Sequence, residues 1–323
     1  MCTAVTYLSG DHYFGRNLDL EYSYRETVTV TPRNFPLPYR KCSPMQTHYA
    51  MIGMAMISEN YPLYYDAVNE YGLSMAGLNF PGNAVYQPEK DGLYNITPFE
   101  LIPWILGQCK TVDDAMPFLE RLNLVKIDFS AEFPLSPLHW ILADRNRAIT
   151  IEPLHSGIVI YENPVGVLTN NPTFDYHMHN LKNYLHLTSK EPSNNFAPQI
   201  ELIPYSRGMG AFGLPGDLSS ASRFIKAAYT KLNSISDGTE TSNVSQFFHI
   251  LNSVAQQYGC VQVGNSYEKT IYSSCCNTDK GIYYYTTYEN SQITGVNLHH
   301  EHLNSKALIR YPLIQQQQLN MLN

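Results

Sequence analysis

Met1-Cys2-Thr3-Ala4-Val5-Thr6-Tyr7-Leu8, then Ser9-Gly10-Asp11, then His12-Tyr13-Phe14-Gly15-Arg16-Asn17-Leu18-Asp19-Leu20 opens the chain and governs how the rest is read. Cys2, Ala4, Thr6 and Leu8 alternate with Thr3, Val5 and Tyr7, and β-branched and aromatic residues are frequent, which predicts a strand. Ser9-Gly10-Asp11 is a turn signal, and His12 to Leu20 can return antiparallel. A turn centred near Gly10 sets Cys2 opposite position 18. Arg16 and Asp19 then lie within side-chain reach of the first thiol of the chain. They differ in strand parity, so both reach Cys2 only if the second strand ends or bulges near Asn17.

Position 2 has a chemistry that no internal cysteine shares. Loss of Met1 leaves Cys2 with a thiol, of ordinary pKa ~8.5, and a free α-amine, of ordinary pKa ~7.7–8.0. The amine can take the proton of its own residue's thiol, so nucleophile and base share one residue. Two plainer readings compete: a small residue that merely tolerates Met removal, and a lipid-anchored cysteine. The second needs an apolar segment ahead of the Cys, and only Met1 precedes it.

At 323 residues, one large or two modest domains are possible. Acidic residues outnumber basic ones, 28 to 21, and no basic run occurs, which argues against nucleic acid as a partner. No apolar segment approaches the ~20 residues of a membrane helix, so no membrane insertion and a cytoplasmic location are expected. Cys42, Cys109, Cys260, Cys275 and Cys276 lack the spacing of a disulfide framework.

Further along, strands are expected over Thr27–Thr31, Tyr49–Ile57 and Leu73–Phe80, the last delivering Asn79 at its end. Helices follow over Pro98–Gln108 and Thr111–Asn123, the second capped by Thr111 and Asp114 and strained by Pro117. Strands resume over His139–Asp144 and Ala148–Glu152. Gly157–Tyr161 and Val165–Thr169 read as a hairpin that places Asn170 at a strand end. Phe174–Leu187, Ser220–Leu232 and Val244–Gln257 read as helices, and Tyr267–Cys276, Ile282–Tyr288 and Gln292–Asn297 as strands. Hairpins with segregated helix groups give an α+β class, with sheets packed on each other and helices outside.

The glycine-rich stretch Gly208 to Gly216 lacks the Lys-Ser/Thr of a phosphate loop. His299-His300-Glu301-His302 and the pair His177/His179 have no metal-ligand spacing and read as surface histidines, so no metal is expected. Asn79 and Asn170 each close an apolar strand, where a side chain is better placed for a site than for packing. Arg223 sits near a helix start, where the helix dipole disfavours a cation, so another partner is expected. Asp217 reads as a turn or cap residue.

Six stretches in order resemble one family: Met1-Cys2-Thr3-Ala4, Phe14 to Asp19, Ala76-Gly77-Leu78-Asn79-Phe80, Leu138-His139-Trp140, Leu168 to Pro172, and Gly213 to Asp217 with Ser222-Arg223-Phe224. Together they are similar to the choloylglycine hydrolases, the bacterial bile salt hydrolases foremost, with penicillin V acylases as relatives. The resemblance spans essentially the whole chain. It implies one N-terminal nucleophile hydrolase domain over residues 2–323, an αββα sandwich of two antiparallel sheets between helix layers. It also implies a homotetramer without cofactor, with an assembly insertion at about 183–207. By motif, Cys2 is the nucleophile, its amine the base and Asp19 the group that orients the amine. Arg16 and Arg223 line the site, while Asn79, through its backbone N–H, and Asn170, through its amide, donate to the oxyanion. The implied substrates are glycine- or taurine-conjugated bile acids. Penicillin-preferring relatives commonly carry Tyr where Asn79 stands, which favours bile salts without excluding penicillin V. Leu18, Tyr24, Tyr65, Phe129, Phe133 and Leu138 are the candidates for an apolar steroid wall, Phe129 and Phe133 as exposed aromatics of an irregular loop. Two other classes compete: a non-catalytic aromatic-rich binding module, and a hydrolase using Cys109 or Cys260.

The N-terminal nucleophile requires that active protein begin at Cys2. Intact mass should show loss of Met1 alone, and full activity in protein that retains Met1 would rule this chemistry out.

Overall fold

Seventeen strands and five α-helices make up the computed structural model, which describes residues 1–323. The first six strands are β1 (Cys2–Ser9), β2 (Asp11–Leu20), β3 (Thr27–Thr31), β4 (Met51–Ser58), β5 (Tyr61–Asn69) and β6 (Ser74–Asn79). Then come β7 (Tyr94–Ile96), α1 (Leu101–Leu106), α2 (Val112–Leu119) and β8 (Leu122–Leu124). Four strands follow, β9 (Leu138–Ala143), β10 (Ala148–Leu154), β11 (Gly157–Glu162) and β12 (Val167–Leu168), before α3 (Phe174–Leu181), α4 (Ser220–Asn233) and α5 (Glu240–Asn252). The chain closes with β13 (Val261–Val263), β14 (Ser266–Asn277), β15 (Ile282–Thr287), β16 (Asn290–Asn297) and β17 (Ile309–Pro312).

One sheet runs β12-β1-β2-β14-β15-β16, with β13 beside β14; the other runs β11-β10-β9-β6-β5-β4-β3-β17. All these pairings are antiparallel, and only the small β7–β8 pair is parallel. Val5 and Tyr7 of the first sheet share a core with Phe224 of α4 and Phe247 of α5, while Ile52, Leu78 and Ile141 of the second sheet join that core from the other side. On the far side of the second sheet, Met75, Trp140 and Ile151 pack with Leu101 and Ile105 of α1 and Val112 of α2. The layers are therefore helix, sheet, sheet, helix, the α+β sandwich expected.

The opening hairpin forms in the expected register, with Cys2 opposite Leu18 and Ala4 opposite Arg16, about a turn in which Gly10 takes φ +65. Thr111 caps α2 through a reciprocal box with Asp114.

Several expectations are corrected. Gly157–Tyr161 and Val165–Thr169 are not a hairpin: β11 pairs with β10 in the second sheet, whereas β12 pairs with β1 in the first. The chain crosses between sheets through Asn163, whose buried amide donates to Val167 O at 3.0 Å and accepts from Gly166 N at 2.8 Å. A buried Asn that satisfies the loop's own backbone serves a crossing better than a two-residue turn would. The helix expected to Asn123 ends at Leu119, because Leu122–Leu124 pair with β7. Phe174–Leu187 stays α-helical only to Leu181, and α5 starts at Glu240, where Thr239 caps it, and ends at Asn252. The short strand β17, which covers the edge of β3, had no clear alternation.

Gly15 is fixed by close approach. A Cβ there would lie 1.9 Å from Ser274 O on β14, and both backbones belong to the central ladder. Gly15→Ala should cost ~3 kcal/mol or more, read as a lowered thermal midpoint. A midpoint equal to the parent's would show that β2 and β14 can part freely.

Candidate active site

The end of β1 is where the chemistry-bearing residues meet. Met1 and Asp19 exchange main-chain hydrogen bonds at 2.7 and 2.9 Å. In an antiparallel ladder the next pair, Cys2–Leu18, is then non-bonded, so Cys2 directs its N–H and C=O away from β2. Asn170, two residues past β12, receives that N–H on Oδ1 at 2.7 Å. Arg223 Nη1 donates to Cys2 O and to Thr3 Oγ1, each at 2.5 Å, and Nη2 donates to the same Asn170 Oδ1 at 2.7 Å. Cys2 itself is buried, 3 % exposed.

Local structure explains both partners. Asn170 is gripped through its backbone: its N–H goes to Ser220 Oγ at 2.8 Å, and its carbonyl accepts from His177 Nε2 at 2.9 Å. Arg223 lies in the first turn of α4, where Ser219 caps the helix, and its cation finds four oxygen acceptors, Leu218 O being the fourth, at 3.1 Å. The unfavourable end of the helix dipole is offset by these acceptors. Burial lowers the pKa of Arg223, opposed by Asp19, Cys2 and Glu268. Asp217 accepts from Ser219 N and Ser222 Oγ, as a cap residue should.

Arg16 reaches across to the second sheet. Cross-strand pairing with Ala4 puts its side chain on the face shared by Cys2 and Leu18. The β5–β6 ladder stops at Asp66–Ala76, and Arg16 Nη1 takes the carbonyls just beyond, Tyr65 O at 3.0 Å and Gly77 O at 2.5 Å. Burial opposes the Arg16 charge, but the acidic groups around it, Cys2 first and then Tyr272, Asp66 and Asp19, raise its pKa. Asn79 ends β6 on the margin of the same gap. Phe80 N bonds Pro137 O, so Asn79 and Leu138 are a non-bonded pair, and the Asn79 N–H and C=O point away from β9. That carbonyl accepts from Asn170 Nδ2 at 2.7 Å. Asn170 thus joins the edge of one sheet to the end of a strand in the other.

Asp19 stands on the opposite face. The second strand neither ends nor bulges near Asn17, contrary to the condition set by parity; the irregularity is on β14, where Ile271 is the extra residue between the partners of Asp19 and Leu18. Asp19 Oδ1 accepts from Thr270 Oγ1 at 2.7 Å, and its buried Oδ2 has no partner. Burial raises the Asp19 pKa, against Arg223, the terminal amine and Thr270.

Four further buried residues surround these groups, of which Glu268 and Asp66 carry no signal in the sequence. Glu268 forms an ion pair with the Met1 amine, and its other oxygen is buried without a partner. Asp66 is buried behind Arg16. His139 bonds Thr169 O at 2.8 Å and Glu152 Oε1 at 3.1 Å. His177, expected on the surface, is fully buried and stacked on Phe224 at 4.8 Å, because the helix carrying it packs under the Asn170 segment. A His four residues into a helix bearing a buried Phe174 was the signal available.

The apolar candidates divide. Leu18 sits beside Cys2 in the first core, and Tyr65 packs on that core while its carbonyl holds Arg16. Phe133 and Leu138 pack instead on the second core, Leu138 directly opposite Asn79. Phe129 is not an exposed loop aromatic: Tyr61 at 6.0 Å, Phe99 at 5.2 Å and Arg40 at 5.6 Å enclose its ring. Tyr24 is exposed on the segment between β2 and β3, paired with Tyr22.

The family model described as linear amide C–N hydrolases, choloylglycine hydrolase family, matches residues 2–311. A bile salt hydrolase/transferase of Lactiplantibacillus plantarum is 57 % identical over the full length of both chains. A crystal structure of a conjugated bile acid hydrolase variant from Clostridium perfringens superposes with TM-score 0.93 at 35 % identity, covering all of each chain. A penicillin V acylase from Agrobacterium tumefaciens shares the fold, with TM-score 0.74 at 17 % identity over 96 % of this chain and 90 % of its own.

Burial presses the pKa of His177 down to about 4, while unfolded His titrates near ~6.5. The native state therefore binds fewer protons between those values, so the contribution is intact above pH ~6.5 and is lost as pH falls toward 4. In His177→Gln the unfolding free energy should fall less steeply over that window, by on the order of 2 kcal/mol in total, as measured by denaturant titration. An unaltered slope would show that His177 is charged in the folded protein.

Proposed function

The chain belongs to the choloylglycine hydrolase family of linear amide C–N hydrolases, and from that premise we propose that it cleaves the amide of glycine- or taurine-conjugated bile acids at Cys2. The observation that carries this reading is the linkage of Cys2 through Asn170 to both Arg223 and Asn79, with Arg16 on the thiol's face. Residues 2–323 act as one hydrolase domain in this reading, since both sheets supply the site.

Once Met1 is removed, the Cys2 amine accepts the thiol proton and the thiolate attacks the amide carbonyl, forming the C–S bond. The Asn79 N–H and the second N–H of Asn170 Nδ2 are the donors for the oxyanion; the first Nδ2 N–H is already given to Asn79 O. The C–N bond breaks as the ammonium returns its proton to the departing glycine or taurine. Water, deprotonated by the same amine, then attacks the thioester and releases the bile acid and the thiolate, which is reprotonated. Asp19 Oδ2, buried and unpartnered, fits a group that orients the ammonium from the helix side. Arg16 fits a cation that faces the charge on sulfur.

Two coarser features support the setting. Leu185, Phe196, Ile200, Leu202, Ile203 and Tyr205 are exposed in and beside the 183–207 segment, which suits burial between subunits of a homotetramer. No helix is long and apolar enough to cross a membrane, and all six cysteines are unpaired, which suits a reducing cytoplasm.

Incubation with glycocholate, taurocholate and penicillin V, with the released amine quantified, should show preference for a bile salt. Asn170→Ala should lower kcat by ~100-fold or more while KM changes far less. Faster cleavage of penicillin V than of either bile salt would move the chain to the acylase branch, and a mere rise in KM would remove Asn170 from the oxyanion.

A further inference from the structure

Arg16 is a buried cation with no carboxylate bonded to it. Its side-chain hydrogen bonds go to main-chain carbonyls, Asn17 at 3.4 Å, Tyr65 at 3.0 Å and Gly77 at 2.5 Å, and Nη2 has no partner. The carboxylate next to this arrangement is Asp66, 1 % exposed. It is the neighbour of Tyr65 and the ladder partner of Ala76, which precedes Gly77. It points between the sheets, where Tyr272 Oη donates to Oδ1 at 2.6 Å, Tyr283 Oη to Oδ2 at 2.7 Å and Ser274 Oγ to Oδ2 at 3.3 Å. The same Ser274 Oγ accepts the Arg16 main-chain N–H at 3.1 Å. Three hydroxyl donors and a nearby guanidinium are the surroundings of an ionised carboxylate.

We propose that Asp66 is a positioning residue for the reaction, a fixed buried anion that offsets the Arg16 charge at Cys2 and so limits how strongly the thiolate is favoured. The proposal rests on Cys2 being the nucleophile. With the thiol protonated, Arg16 and Asp66 balance each other inside the sandwich. When the thiolate forms, Arg16 faces two anions, and the tyrosines keep Asp66 from moving away. Burial raises the pKa of Asp66, opposed by Arg16 and the three hydroxyls. Besides Arg16, the groups acting on Cys2 are Tyr65 from β5 and Arg223 from α4, while Tyr272 from β14 and Asp19 from β2 act on Arg16, and Glu268 from β14 acts on Asp19 and the terminal amine. All of them are kept in the variant below, so only one charge changes.

The test is alkylation of Met1-free protein by iodoacetamide across pH, with the modified residue mapped by peptide mass. In Asp66→Asn the pH of half-limiting Cys2 alkylation should fall by ~1 unit, while Asp66→Glu stays close to the parent. Asp66→Ser, which leaves room for a water against the two phenols, serves the same purpose if Asp66→Asn does not fold. An unchanged midpoint in a folded neutral variant would mean that Asp66 carries no charge, and a rise would mean that it only holds Arg16 in place; either result overturns the proposal. Alkylation that maps away from Cys2 in the parent, or no bile salt cleavage by it, would instead count against the functional reading.

Discussion

One carboxamide ties the two sheets together where the first strand begins. Asn170 accepts on Oδ1 from the Cys2 main chain and from Arg223, and donates from Nδ2 to the main chain of Asn79. Only a side chain with an acceptor and a donor on one planar group can do both. An Asp there would present a second acceptor to the Asn79 carbonyl, and a Leu would leave a buried guanidinium N–H and a buried main-chain N–H unsatisfied. The backbone of Asn170 is held in turn by Ser220 and His177, so its orientation is set from two helices, not by the site alone.

Around that tie, the strand's period of two divides the charges. Cys2, Leu18 and Arg16 share the face between the sheets, whereas Asp19 and Thr270 lie on the face toward the helices. A group in mid-strand could see only one of these faces. The terminal residue of a strand can see both, and the first main-chain amine stands at that position. Two arginines are buried close by, each held mainly by neutral oxygens instead of by a carboxylate. Carbonyl oxygens hold a cation in place without removing its charge, so the charge of Arg16 is met through space, by Asp66, instead of by a bonded carboxylate.

Much of this was legible from the chain. Alternation with a glycine turn gave the opening hairpin and its register, because parity and turn position together fix which residues oppose. Asn79 and Asn170 stood out as amides at the ends of apolar strands. The crossing at Asn163–Gly166 was not legible, since a turn between two short strands looks alike whether the strands pair or part. The positions of Asp66, Glu268 and His177 also stayed hidden. Asp66 and Glu268 are polar residues on ordinary strands whose partners lie more than two hundred residues away, and His177 sits on a helix buried by packing under the Asn170 segment. The buried ring of Phe129 escapes the sequence for a related reason: an irregular segment can be as closed in by side chains as a strand.

The ion pair between the Met1 amine and Glu268 spans nearly the whole chain. During synthesis at ~5–20 residues per second, residue 268 is added about 13 to 53 s after the first. Until then nothing in the later chain engages the amino terminus; afterwards Glu268 on β14 pairs with its amine. If Cys2 is the nucleophile proposed above, removal of Met1 competes with elongation. A ribosome that runs ahead of the peptidase would release a well-folded protein whose base is still locked in a peptide bond.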